Sequence, residues 1–210
     1  NKALAIKPDF AEAYQNIGDA LTMVAFKKPI PGLQKIIISL LDKKSFVRPK
    51  DIAYAAISLL KFEPDLKRNL HAFSVTKVGL EALEVITDLS KLPLLLKLMS
   101  VCPIPDLDLE NLLRNLRASL LLSISDLTGF PEVLKFQSTL ALQCFTNEYI
   151  YNQSEDEEKA LAYLERSVSR ALSNGGQPSP QSILCLASYK PLNQYEWFNA
   201  LLLTNEIEDV

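Results

Sequence analysis

The chain has 210 residues, 48% hydrophobic and 22% charged, which excludes disorder as a whole-chain description and leaves room for one or two packed domains. Twenty-two Lys and Arg against 25 Asp and Glu give a net charge of −3, so a globally basic nucleic-acid binder is excluded. Three scattered cysteines (Cys102, Cys144, Cys185) and one histidine (His71) exclude a disulfide scaffold and a structural zinc site, and they fit buried thiols in a reducing, cytoplasmic compartment.

The first element is read from NKALAIKPDFAEAYQNIGDAL at 1–21. Tyr14, Ile17, Gly18 and Leu21 share one helical face, Gly18 allows a close helix approach, and Asp9 with Glu12 forms a D-x-x-E start signal. Ala3 and Pro8, followed by Tyr14, Ile17, Gly18 and Leu21, resemble the end of one tetratricopeptide repeat and the start of the next. The period of about 34 residues then requires a second helix. Instead KKPIPG at 27–32 breaks the pattern, so the repeat region is placed at 1–27 and a helical domain at 28–210. Opening inside a repeat reads as an excised piece of a longer polypeptide.

The remaining elements are helical. Leu33, Ile36, Ile37, Leu40 and Leu41 form one stripe, and Ile52, Ala55, Ala56, Leu59 and Leu60 a second, opened by Pro49 and Asp51. Pro64 starts a helix to about Phe73, and two short helices follow at 76–89 and 92–101. The segment 106–124 carries a clean stripe of Leu109, Leu112, Leu113, Leu116, Leu120 and Ile124, with Arg114 and Arg117 off it. Pro131 opens a helix expected to reach Asn152. Ser154 and Glu157 form a capping box for a helix ending at Gly175-Gly176, and Ser179-Pro180 cap one to about Tyr189. The fold class is all-α: tetratricopeptide-like helix pairs continuing into an irregular α-helical solenoid or bundle. No run approaches the roughly 20 apolar residues of a spanning helix.

Candidate functional positions are few. Asn16, at a position that lines the groove in resembling repeats, has an amide able to hold an extended peptide, with Glu12, Gln15, Asp19 and Met23 sharing its surface. The plain alternative is a solvated amide. Gln143, Asn147 and Glu148 put polar groups into an apolar helix, either as a pocket or domain contact or as buried amides that bond neighbouring helix ends and fix register. A nucleophilic Cys144 lacks a base, because His71 is more naturally a surface residue at a helix end. Seven basic residues between 27 and 50 (Lys27, Lys28, Lys35, Lys43, Lys44, Arg48, Lys50) against Asp42 could face a polyanion or membrane surface, or form the wet side of helices. The acidic turn Glu155, Asp156, Glu157 and Glu158 complements a helix N-terminus.

Three segments, PIPDLDLENLLRNLRASLL at 103–121, ALQCFTNEYIY at 141–151 and LASYKPL at 186–192, resemble the connecting region of bacterial proteins that join tetratricopeptide repeats to a class I S-adenosylmethionine-dependent methyltransferase. The resemblance implies a catalytic domain after Val210. It implies S-adenosylmethionine for that parent chain only, since no G-x-G triplet stands here to hold a cofactor. The expected role is a non-catalytic scaffold that presents substrate or partner, contacting a protein or peptide in the repeat groove and the methyltransferase domain within the same chain. The alternatives are a small free-standing enzyme with a polar site at 143–149 and a polyanion- or membrane-surface module using 27–50.

Overall fold

The computed structural model describes residues 11–43, 47–72, 80–126 and 130–206. These residues form eleven α-helices and one 3₁₀ turn, with no strand among them. In chain order they are α1 (Ala11–Leu21), α2 (Leu33–Asp42), α3 (Pro49–Leu60), α4 (Pro64–Ala72), α5 (Leu80–Ser90), α6 (Pro93–Met99), α7 (Leu107–Leu122), α8 (Pro131–Thr146), α9 (Glu155–Ser173), α10 (Pro180–Ala187), the 3₁₀ turn Leu192–Gln194, and α11 (Phe198–Glu206). The all-α expectation holds. No helix among the described residues is long and apolar enough to cross a membrane.

Local chemistry sets the helix starts. Pro49, Pro64, Pro93, Pro131 and Pro180 open their helices, where a missing N–H costs nothing. Asp106, Ser154 and Ser179 cap α7, α9 and α10 through their side-chain oxygens. The box at α9 is reciprocal: Ser154 Oγ accepts from Glu157 N–H at 3.2 Å, and Glu157 Oε2 accepts from Ser154 N–H at 2.9 Å. After α9 the chain turns through Gly175 at φ 71°, the left-handed position that glycine fills without strain.

Packing divides the apolar residues into two cores. The larger joins α1 through α8: α1 packs on α3, α2 on α3 and α6, α4 on α5 and α7, and α5 and α6 on α8. The smaller gathers Leu164, Val168, Leu172, Leu186, Tyr195 and Trp197 around α9, α10 and the final turn. Helix α7 lies between them, touching α4 and α5 on one side and α9 and α10 on the other.

Several expectations need correction. Helix α8 ends at Thr146 rather than near Asn152, because Asn147 caps it and Glu148 and Tyr149 take left-handed backbone at φ 53° and 57°. Gly18 does make a close approach, but to Val47 in the connection before α3: a Cβ on it would stand 3.1 Å from that side chain. Arg117, placed off the leucine stripe of α7, is nonetheless buried at 1% exposure. The starting signal at Asp9, residues 76–79 of the fifth expected helix and Lys44 lie outside the described residues.

Candidate functional site

Gln143 is fully buried on α8. In the amide orientation that satisfies every group, its Nε2 donates to the Met99 and Cys102 carbonyls at 3.0 Å each, and its Oε1 accepts from Ile104 N–H at 3.2 Å. It therefore ties the turn after α6 to α8, the register-fixing role set against a pocket above. Asn147 is also buried, at the helix end, while Glu148 is exposed. The three polar residues thus point to different surroundings and do not converge on one site. Cys144 beside them is buried, and loss of water pushes its thiol up to about 12, with the nearby Arg117 charge pulling weakly the other way. Cys185 is pushed to about 12 and Cys102 to about 11 by burial as well. No activated thiolate results.

A buried charged constellation, not foreseen from the sequence, sits between the two cores. The Arg117 Nη2 donates to Glu157 Oε1 at 3.1 Å and to Asn152 O at 3.0 Å, and Nη1 donates to Tyr151 O at 3.4 Å. The guanidinium lies 4.2 Å from the centre of the Tyr189 ring. Tyr189 Oη in turn donates to Glu157 Oε1 at 2.8 Å, and burial pushes its own ionisation far up. One residue from each of α7 and α9, with Tyr189 just beyond α10, therefore share one hydrogen-bonded centre. A charge pair this dry is costly unless bonded, and here each carboxylate oxygen of Glu157 has a donor. The sequence carries a clue: no charged residue stands between Arg117 and Asp126, so the turn of helix that follows Arg117 is the apolar run Leu120 to Leu122.

An apolar groove opens between α8 and α10. Helix α8 buries Val133, Phe136, Leu140 and Cys144 on its inner face. Its outer face repeats the chemistry with Leu134, Leu142 and Phe145, the last two 47% and 60% exposed. Leu184 and Ala187 of α10 and Leu192 form the facing wall. The middle of the groove encloses about 610 Å³. It continues towards Leu134 and Pro180 at one end, and past Tyr149 to Tyr189 and Lys190 at the other. Phe145 and Tyr149 meet edge to face at 6.5 Å between ring centres. The left-handed backbone at Glu148 and Tyr149 is what turns the Tyr149 ring back towards α8. The cue in the sequence is that α8 holds two charged residues, Glu132 and Lys135, in sixteen positions. A helix apolar on both faces is ordinarily covered on both.

The other candidate positions are dispersed. Glu12, Gln15, Asn16 and Asp19 line the exposed face of α1, opposite buried Tyr14, Gly18 and Leu21, and Met23 is 86% exposed with φ 59°. His71 is exposed in the last turn of α4, as expected for a residue complementing a helix end. In the basic stretch Lys27, Lys28, Lys35 and Lys50 face water, Lys43 lies over the Tyr14 ring at 4.7 Å, and Arg48 pairs with Asp51 at 2.8 Å. Among the described residues no group of three or more His, Cys, Asp or Glu is arranged to hold a metal ion. No protein-family model, curated protein or solved structure matches the chain.

Proposed function

We propose that this chain is a non-catalytic helical interaction domain whose α8–α10 groove receives a segment of another polypeptide. The observation that carries the reading is the outer stripe of α8, where Leu142 and Phe145 stand open over a continuous apolar floor. Concave, mostly apolar surfaces with a polar edge are the usual shape of a recognition site. The unactivated buried thiols and the absence of a convergent acid–base pair in the groove weigh against the small-enzyme alternative. The likeness of 103–121, 141–151 and 186–192 to the connecting region of tetratricopeptide-repeat methyltransferases supports placing the domain as the arm of such a polypeptide, with S-adenosylmethionine belonging to its catalytic part. In that setting the exposed α1 face with Asn16 is a second contact surface, continuing the repeat groove.

The experiment is selection of a random peptide-display library on the full chain, counter-screened on Phe145→Asp. Peptides that bind the parent chain and lose the variant, with unchanged circular dichroism, are expected. Enriched peptides indifferent to Phe145→Asp, or no enrichment at all, overturn the groove as the site of interaction.

A further inference from the structure

The chain leaves α9 through a turn closed by two backbone bonds. Gly175 N–H donates to the Leu172 carbonyl at 3.0 Å and Gly176 N–H to the Ala171 carbonyl at 2.9 Å, with Gly175 at φ 71°. Asn174 enters this turn at φ −92° and ψ 8°. It is exposed, as are Gly175, Gly176 and Gln177 after it.

An asparagine followed by glycine carries its own reagent. The nitrogen of the next peptide group can attack the side-chain carbonyl and close a five-membered imide. A side chain on that next residue stands in the way of the attack, and glycine has none. Asn174–Gly175 is the one Asn-Gly pair in the sequence. The other exposed asparagines among the described residues, Asn16, Asn152, Asn193 and Asn199, precede Ile17, Gln153, Gln194 and Ala200. The space about Gly175 is also open, since a Cβ built there meets nothing within 4 Å.

The closed turn holds the reaction back. The Gly175 nitrogen donates its proton to Leu172, and a nitrogen that keeps its proton does not attack. Helix ends with few buried contacts open readily. The end of α9 is such an end: of Ala171, Leu172, Ser173 and Asn174, Leu172 alone is buried.

We propose that Asn174–Gly175 is a self-modifying site, converted to isoaspartate and aspartate when the last turn of α9 opens. Solvent hydroxide takes the proton from the Gly175 nitrogen, which forms a bond to Asn174 Cγ. The Cγ–Nδ2 bond breaks, and the amide nitrogen takes a proton from water and leaves as ammonia. Water then opens the imide at either carbonyl. Opening at Cγ gives aspartate, and opening at the main-chain carbonyl gives isoaspartate, whose peptide link runs through Cβ and Cγ. The net change is one water consumed and one ammonia released, with nothing oxidised or reduced. Both products set a carboxylate at the carbonyl end of α9, where negative charge is unfavourable. Isoaspartate also adds a carbon to the main chain between Leu172 and Gly175, so the two turn bonds lose their register. The loosened stretch leads into Gln177 and Pro178, which line the Leu134 end of the groove.

The test is timed incubation of the full chain in mildly alkaline buffer, followed by digestion and mass spectrometry with fragment spectra that assign each asparagine. Asn174 is expected to gain the mass of amide-to-acid conversion at least tenfold faster than Asn16, Asn152, Asn193 or Asn199, and more slowly in mildly acidic buffer. Chromatography is expected to resolve isoaspartate and aspartate forms of the same peptide. In the converted fraction, hydrogen exchange at the Gly175 and Gly176 amides is expected to quicken. Gly175→Ala separates the chemistry from mere looseness. Its Cβ meets no neighbour, so the fold is kept, while the left-handed position strains the turn and the methyl shields the nitrogen. Conversion in this variant is expected to fall at least tenfold. Equal rates at all exposed asparagines, or conversion of Gly175→Ala as fast as the parent, overturns the site. Aspartate without isoaspartate overturns the cyclic route. Conversion confined to the chain unfolded in urea shows that the closed turn prevents the reaction, and overturns the proposal for the folded protein. Unchanged exchange in the converted fraction overturns the loosening of α9.

Discussion

Glu148 and Tyr149 stand consecutively in left-handed backbone at the point where α8 stops. The bonds there are those of a helix-ending turn: Tyr149 N–H reaches back to the Cys144 carbonyl at 2.9 Å, and Glu148 N–H to Phe145 at 3.1 Å. The residue after a helix cap is most often glycine, because a Cβ there crowds the neighbouring carbonyl. Glu148 accepts that strain and in exchange puts a carboxylate beside the groove. Glu148→Gly is therefore expected to raise stability by about 0.5–1 kcal/mol, the relief of strain less the backbone entropy of glycine. Urea unfolding of the two proteins decides it, and a loss of stability on substitution would show that the Glu148 side chain holds the turn. Nothing in the sequence flags these two residues, since the usual glycine is missing and the helical pattern runs on through Ile150 and Tyr151. The expected helix overran for that reason.

Besides their apolar contacts, helices α4 and α5 are linked through the carboxylate of Asp88. Asp88 Oδ2 accepts from Arg68 at 2.5 Å and from Asn69 Nδ2 at 3.3 Å, and Oδ1 lies 3.3 Å from Lys91 Nζ. Burial would raise its ionisation, but the hydrogen bonds from Arg68, Asn69 and Lys91 and the Arg68 charge outweigh it, so Asp88 is held below the ordinary carboxylate value of 3.8. In that case the unfolded chain binds the proton first as pH falls. The stabilisation is complete above about pH 5, declines through pH 4, and is lost below the folded value. Chemical denaturation from pH 6 to pH 2.5 should show a steeper acid loss for the parent chain than for Asp88→Asn, and parallel curves would remove Asp88 as the link. Most of this level was legible beforehand. Proline starts, the Ser154–Glu157 box and the three- and four-residue stripes of α2, α3 and α7 reproduce the helices because they are local chemistry. What periodicity cannot carry is a second apolar face. The outer stripe of α8 reads as more core until a neighbour is found to be missing there. Buried Gln143 reads as a possible pocket until the carbonyls of Met99 and Cys102 are placed beside it.

The whole molecule depends on how its two cores are joined. Helix α7 gives Leu109, Leu112, Leu113, Leu116 and Leu120 to the larger core and Leu121 to the smaller, and the buried Arg117 lies one turn before Leu121. Its bonds to Tyr151, Asn152 and Glu157, and its stacking on Tyr189, tie the larger core to the chain entering α9 and to the turn after α10. Those same elements carry the groove's second wall, so the site depends on this junction staying closed. Arg117→Met removes one partner of a dry pair and leaves Glu157 buried without its cation, a change that costs about 3–5 kcal/mol. The loss should not be shared evenly. Trp197, the single tryptophan, lies in the smaller core stacked on Tyr195 at 4.7 Å, whereas most helix belongs to the larger one. In the parent chain, tryptophan fluorescence and far-ultraviolet circular dichroism are expected to report one coincident transition. In Arg117→Met the fluorescence transition should move to lower denaturant ahead of the dichroism, and binding at the groove should fail with it. Coincident transitions in the variant would mean that the cores are held together by their apolar contacts and that the buried pair adds none of the coupling.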